Sequence, residues 1–171
     1  MLDMLKGQDV VVLVKLLGRA EPVGVRDLAG ELGFDVAGTH RALRRLSDAG
    51  LYSSERRRAF GTPAEEFLLH AVKFSFPAVR GAEVRGVPTS WAAEPLKGEL
   101  AESSALPPVW PYSKGTVRGL SFEPLHPMVP DAAKADPQMW ERLSLVDALR
   151  SNESARITGL AARLLKERIE A

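Results

Sequence analysis

VRDLAGELGFDVAGTHRALRRLSDAGLY, residues Val25 to Tyr52, reads as a helix, a tight turn and a second helix that carries arginines. Leu28, Ala29 and Leu32 are spaced i, i+1, i+4, which lays one apolar stripe along a short helix. Gly33 supplies the unhindered backbone that stops it. Phe34 can plug the corner between the helices, and Asp35 is an acceptor placed to cap the next one. Val36, Leu43 and Leu46, spaced by seven and three, predict the buried face of the second helix, extended by Ala42 and Ala49. Its other face carries Thr39, His40, Arg41, Arg44 and Arg45. Gly50 ends the helix, and Leu51 and Tyr52 begin a strand.

On Leu28, Ala29, Leu32, Gly33, Thr39, Leu43, Leu46, Ala49, Gly50 and Leu51, this motif resembles the winged helix-turn-helix regulators of bacteria, such as the MarR type. The resemblance covers roughly the first third of the chain. It implies a fold in which one helix props a second into the major groove, and therefore double-stranded DNA as partner. Thr39, His40 and Arg41 would then lie nearest the bases. Arg44 and Arg45 would read bases or grip flanking phosphates, and Arg56, Arg57 and Arg58 would grip the backbone. Arg26, at the start of the first of the two helices, would add a phosphate contact. His40 either donates to a phosphate or base edge or simply stands in solvent.

The charges favour that surface. The whole chain is nearly balanced, with 23 Lys and Arg against 22 Asp and Glu in 171 residues, so electrostatics is decided locally. From Val36 to Arg58 the cations are Arg41, Arg44, Arg45, Arg56, Arg57 and Arg58, opposed only by Asp48 and Glu55. A patch of one sign in a neutral chain suits phosphates. Cysteine is absent, which excludes thiol chemistry, disulfides and cysteine-ligated zinc and fits a cytoplasmic protein. The apolar run VVVLVKLL (10–17) is broken by Lys15, is too short to span a bilayer and lacks a signal-peptide cleavage pattern. It reads as a buried helix from about Gln8 to Leu17, so no membrane partner is expected.

The expected fold class is α+β and mostly helical. An N-terminal winged helix-turn-helix (1–60) precedes a second region (61–171) with a proline-rich middle, short strands and a C-terminal pair of helices. After Tyr52 the segment SSERRRAFG offers no legible pair of alternating strands. The wing is either one arginine-rich loop, or Arg56–Arg58 already begin the next helix. Thr62-Pro63-Ala64-Glu65-Glu66 reads as a hydroxyl-capped helix start, with Phe67, Leu68, Ala71, Val72 and Phe74 inward and an end before Pro77.

Between Pro77 and Pro130 lie most of the prolines and all but one of the tryptophans. Two passages there are alike, EVRGVP (83–88) and TVRGLS (116–121), and read as short strands or turns. Pro107–Pro111 suits a polyproline II segment with Trp110 packed inward. Asp136-Pro137 opens a helix with Met139, Trp140, Leu143, Val146 and Leu149 inward. Ser151-Asn152-Glu153 caps a last helix carrying Ile157, Leu160, Ala161, Leu164 and Ile169 on one face. This pair serves either as a homodimer interface or as a lid on the chain's own core.

No catalytic constellation or cofactor motif is legible. His40, His70 and His126 fall in no metal-ligand spacing, and the glycines form no phosphate loop. An enzyme would need Glu83, Arg85, Arg118, Glu123 and His126 to converge in one pocket. The expected function is sequence-specific DNA binding by a transcriptional regulator, with repression as the default outcome. A second, looser similarity is to antitoxin-regulators paired with nucleotidyltransferase toxins, carried by the layout and by Val87-Pro88-Thr89. It implies a protein partner held by the region after the helix-turn-helix.

Overall fold

In the computed structural model, which describes residues 3–170, the chain is an α+β protein dominated by helices. It begins with α1 (Gly7–Leu17), α2 (Val25–Leu32) and α3 (Val36–Asp48), followed by a hairpin of β1 (Tyr52–Ser53) and β2 (Arg58–Ala59). The expected punctuation is there. Gly33 closes α2 at φ 70°, a left-handed conformation that glycine adopts without steric cost. The Asp35 carboxylate caps α3 by accepting the Gly38 amide at 2.6 Å. Ala42, Leu43 and Leu46 are buried, whereas Val36 is 43 % exposed and Ala49 lies at the surface. Both overhang the packed part of α3, Val36 as its first residue and Ala49 as its C-cap.

The run 10–17 is a buried helix, with Val10 to Val14 and Leu16 covered because α3 packs on one side and α8 on another. The hairpin leaves no pattern in the sequence, since each strand is two residues long. Arg56–Arg58 do not start a helix: Ser53 Oγ accepts the Arg56 amide at 3.1 Å, Arg57 takes φ 53°, and Arg58 pairs opposite Ser53.

A continuous helical run follows, made of α4 (Gly61–Glu66), a π-helical turn over Phe67–Ala71 and α5 (Val72–Ser75). It starts at Gly61, one residue before the expected Thr62 cap, and Phe60 holds the N-cap position without a side-chain bond. The wider turn shifts the helical phase. Leu68 and Val72 stay inward, but Phe74 turns out to 77 % exposure.

The middle region contains β3 (Arg80–Pro88), a 3-10 turn (Ser90–Ala92), α6 (Leu96–Glu99), β4 (Pro108–Pro111) and β5 (Val117–Phe122). The two similar Arg-Gly passages are β3 and β5 themselves, paired antiparallel with Arg85 opposite Arg118. Further along, β3 pairs antiparallel with β4, and β4 pairs parallel with β5, closing a three-stranded ring. A side chain on Gly86 would strike the Trp110 carbonyl, and one on Gly119 the Pro107 carbonyl. The repeated glycine is therefore a steric condition for closing so small a ring. Residues 108–111 are a ladder strand instead of the expected polyproline II segment, because both of β4's neighbours supply backbone partners.

The chain ends with α7 (Val129–Ala135), α8 (Pro137–Ser151) and α9 (Ala155–Glu170). Asp136 caps α8 through the Met139 amide at 3.1 Å and takes the Lys15 ammonium at 2.7 Å, tying α8 to α1. Ser151 belongs to α8, and it is Ser154 Oγ that accepts the Ile157 amide at 3.1 Å to start α9. From Arg142 to Arg150 every residue of α8 is buried, and α9 lies against it with Ala161, Leu164 and Leu165 inward. That face of α9 is a lid on the chain's own core.

Thr89 and Trp110 Nε1 each donate to Asp147 Oδ2 at 2.7 Å, and Arg150 Nη1 donates to Oδ1 at 2.7 Å. Burial pushes the Asp147 carboxyl up, opposed by Arg150 and by the Thr89 and Trp110 hydrogen bonds. The Val87-Pro88-Thr89 segment is thus a seam between ring and α8. The apolar core is continuous from α1 through α8 to α9.

Candidate nucleic-acid interface

Helical geometry divides α3 into two faces with different tasks. Ala37, His40, Arg41, Arg44 and Asp48, spaced by three and four, form its exposed stripe. Arg41 and Arg44 have no carboxylate within 4.0 Å among the described residues, and Arg26 on α2 is exposed in the same way. This leaves a helix face with two guanidinium groups and an imidazole available to an external acceptor.

Two expected members of that face are not on it. Thr39 is fully buried, and its hydroxyl donates back to the Asp35 carbonyl at 2.9 Å. Arg45 is only 6 % exposed and points into the protein, donating from Nε and Nη2 to the two Asp9 oxygens at 2.7 and 2.8 Å. This correction has a geometric origin. Arg45 is three residues after Ala42 and one before Leu46, both buried, so it shares their flank of the helix. The Asp9 hydrogen bonds raise the Arg45 guanidinium further above its ordinary range, against burial.

In sequence, Asp9 reads only as a polar first-turn residue. In the structure it is fully buried, accepts the Lys6 amide at 2.8 Å and anchors Arg45. The signal that could have found it is an acid directly preceding a wholly apolar run, with a lone arginine on the apolar flank of another helix. Such a forked pair holds both groups in one orientation, so α3 is fixed against rotation relative to α1.

The hairpin, whose first strand packs on α3, carries a second group of arginines. Arg56, Arg57 and Arg58 are exposed, and Arg58 donates to the Ala20 carbonyl in the loop before α2. Arg56 and Arg57 are engaged by no carboxylate within 4.0 Å among the described residues.

No protein-family model, curated protein or solved structure matches this chain.

Of the residues an enzyme would need, Glu83, Arg85 and Arg118 meet on the paired strands β3 and β5. Arg118 pairs with Glu83 at 3.1 Å on the open surface of the ring, with both side chains well exposed. His126 packs edge-on against Phe34 with ring centroids 4.5 Å apart, and its Nδ1 accepts the Met128 amide at 3.1 Å. Among the described residues no group of His, Asp or Glu is placed to hold a metal ion. Among them, too, no helix is long and apolar enough to cross a membrane.

Proposed function

We propose that this chain is a cytoplasmic DNA-binding transcriptional regulator of winged helix-turn-helix type, with α3 as its recognition helix and β1–β2 as a minimal wing. The observation that carries the reading is the division of labour on α3. Arg45, at the edge of the buried side, locks α3 to Asp9, while His40, Arg41 and Arg44 stand on the exposed stripe beside it. A recognition helix needs both, a fixed axis and an open basic stripe. Arg41 and Arg44 read base edges or adjoining phosphates, and Arg56, Arg57 and Arg26 contact the backbone. A single short helix makes a small interface. Two copies on a palindromic operator add affinity and set the half-site spacing, with repression following from occupancy.

Binding to own-promoter and random duplexes across a salt series tests this. Arg41→Ala/Arg44→Ala is the informative variant, because neither side chain holds up the fold. Removing one arginine–phosphate pairing lowers the salt slope by about 1, and removing a bidentate guanine pairing relaxes sequence preference by about 1–3 kcal/mol. No binding by the natural chain at low salt refutes the reading.

A further inference from the structure

Behind the hairpin, between the end of α1 and the end of α9, lies a cleft of about 410 Å³. Arg19, Arg56, Arg57 and Arg58 line it, and among the described residues Glu21 is the lining acid. Its apolar walls include Leu17, Ile169 and the 40 % exposed ring of Phe60. Arg19 is held by Glu31 at 2.6 Å, yet its Nε–H is buried without an acceptor among the described residues. Converging like charges repel unless an anion lies among them, and planar guanidinium forks match phosphate oxygens two at a time. A bare phosphate has no use for an apolar wall with an aromatic ring in it. The volume also falls in the range of organic-ligand sites.

We propose that this cleft binds a nucleoside diphosphate or triphosphate, with its phosphates on the arginines and its base against Phe60. Because Arg56 and Arg57 are the arginines the hairpin offers to DNA, ligand and duplex compete for them. The competition rests on the DNA-binding reading; the ligand site itself does not.

Isothermal titration calorimetry of the full chain without DNA, using ADP, adenosine and pyrophosphate as separate probes, is the test. ADP binds with one site per chain, and each half alone binds at least about tenfold more weakly. Phe60→Leu keeps the apolar volume but removes the aromatic face. It weakens ADP about tenfold while leaving pyrophosphate and the thermal unfolding midpoint unchanged. Arg19→Gln weakens ADP and pyrophosphate together. Adding ADP to a preformed DNA complex then raises the apparent Kd for DNA.

Absence of ADP binding at about 1 mM overturns the site, as does binding that both variants leave intact. Pyrophosphate binding as tight as ADP overturns the nucleoside assignment. DNA affinity unmoved by saturating ADP overturns the competition. Failure to bind any duplex, with ADP still bound, counts against the DNA reading alone.

Discussion

Replacing Asp9 by asparagine keeps the size of the side chain but leaves the Arg45 charge without its counter-ion in the interior. Asp9 is fully buried and Arg45 6 % exposed, so little water can take over. Removing one member of a buried pair costs about 3–5 kcal/mol. The asparagine oxygen can still accept one guanidinium donor, which puts the expected loss near the lower end, about 3 kcal/mol. For a chain of this size that lowers the thermal midpoint by about 10 °C. Urea unfolding followed by far-ultraviolet circular dichroism measures it. The double variant Asp9→Leu/Arg45→Met removes both charges together. It should return most of the loss, short by about 1 kcal/mol for the forfeited cap on the Lys6 amide. It should also keep DNA binding, because Arg45 is internal. Two results refute this reasoning: Asp9→Asn within about 1 kcal/mol of the natural chain, or a folded double variant that has lost DNA binding while Arg41→Ala/Arg44→Ala has not.

Further expectations follow from the ring and from His126. Gly119→Ala drives a methyl group into the Pro107 carbonyl and should cost about 3 kcal/mol in urea unfolding, whereas Gly30→Ala on α2, with open space around it, should gain roughly 0.5–1 kcal/mol. Burial lowers the His126 pKa, so the unfolded chain takes up this proton first. Stability is then lost as pH falls through the unfolded value of about 6.5 towards the lower folded one. Urea midpoints recorded between about pH 7.5 and 5.5 should show that slope, and His126→Asn should flatten it. Trp110→Phe strips a donor from buried Asp147 and should cost about 1–3 kcal/mol, read from the same unfolding curves.

What could be read from the amino acids was local. Gly33 and Asp35 announced a helix end and a helix start because turn and cap chemistry acts within a few residues. Asp136-Pro137 announced α8 for the same reason. The hairpin escaped because two residues cannot display an alternation, and α7 because seven residues give too few apolar positions to show a period. The likeness between residues 83–88 and 116–121 was visible, but its meaning depends on β4 arriving between them, a long-range fact. In the candidate interface, His40, Arg41 and Arg44 were placed correctly on the open face. Thr39 and Arg45 were not, since an arginine on the flank of an apolar stripe goes inward only if a carboxylate meets it there. That carboxylate, Asp9, is 36 residues away.

The three-stranded ring also limits how other proteins can engage this chain. Extended peptides commonly join a partner by adding themselves to the outer strand of an open sheet. Here β3 passes from β5 to β4, and those two pair with each other, so where the three strands meet, at Gly86–Pro88, the sheet has no outer strand. The hairpin, two residues deep, offers almost no ladder to extend. Capture of a strand from a neighbour, and the edge-to-edge aggregation that follows from it, are thereby confined to the short stretch Arg80–Val84, which pairs with β5 alone. Apart from that short edge, the surfaces open to recognition among the described residues are helix faces and clefts, where side chains rather than backbone decide the partner.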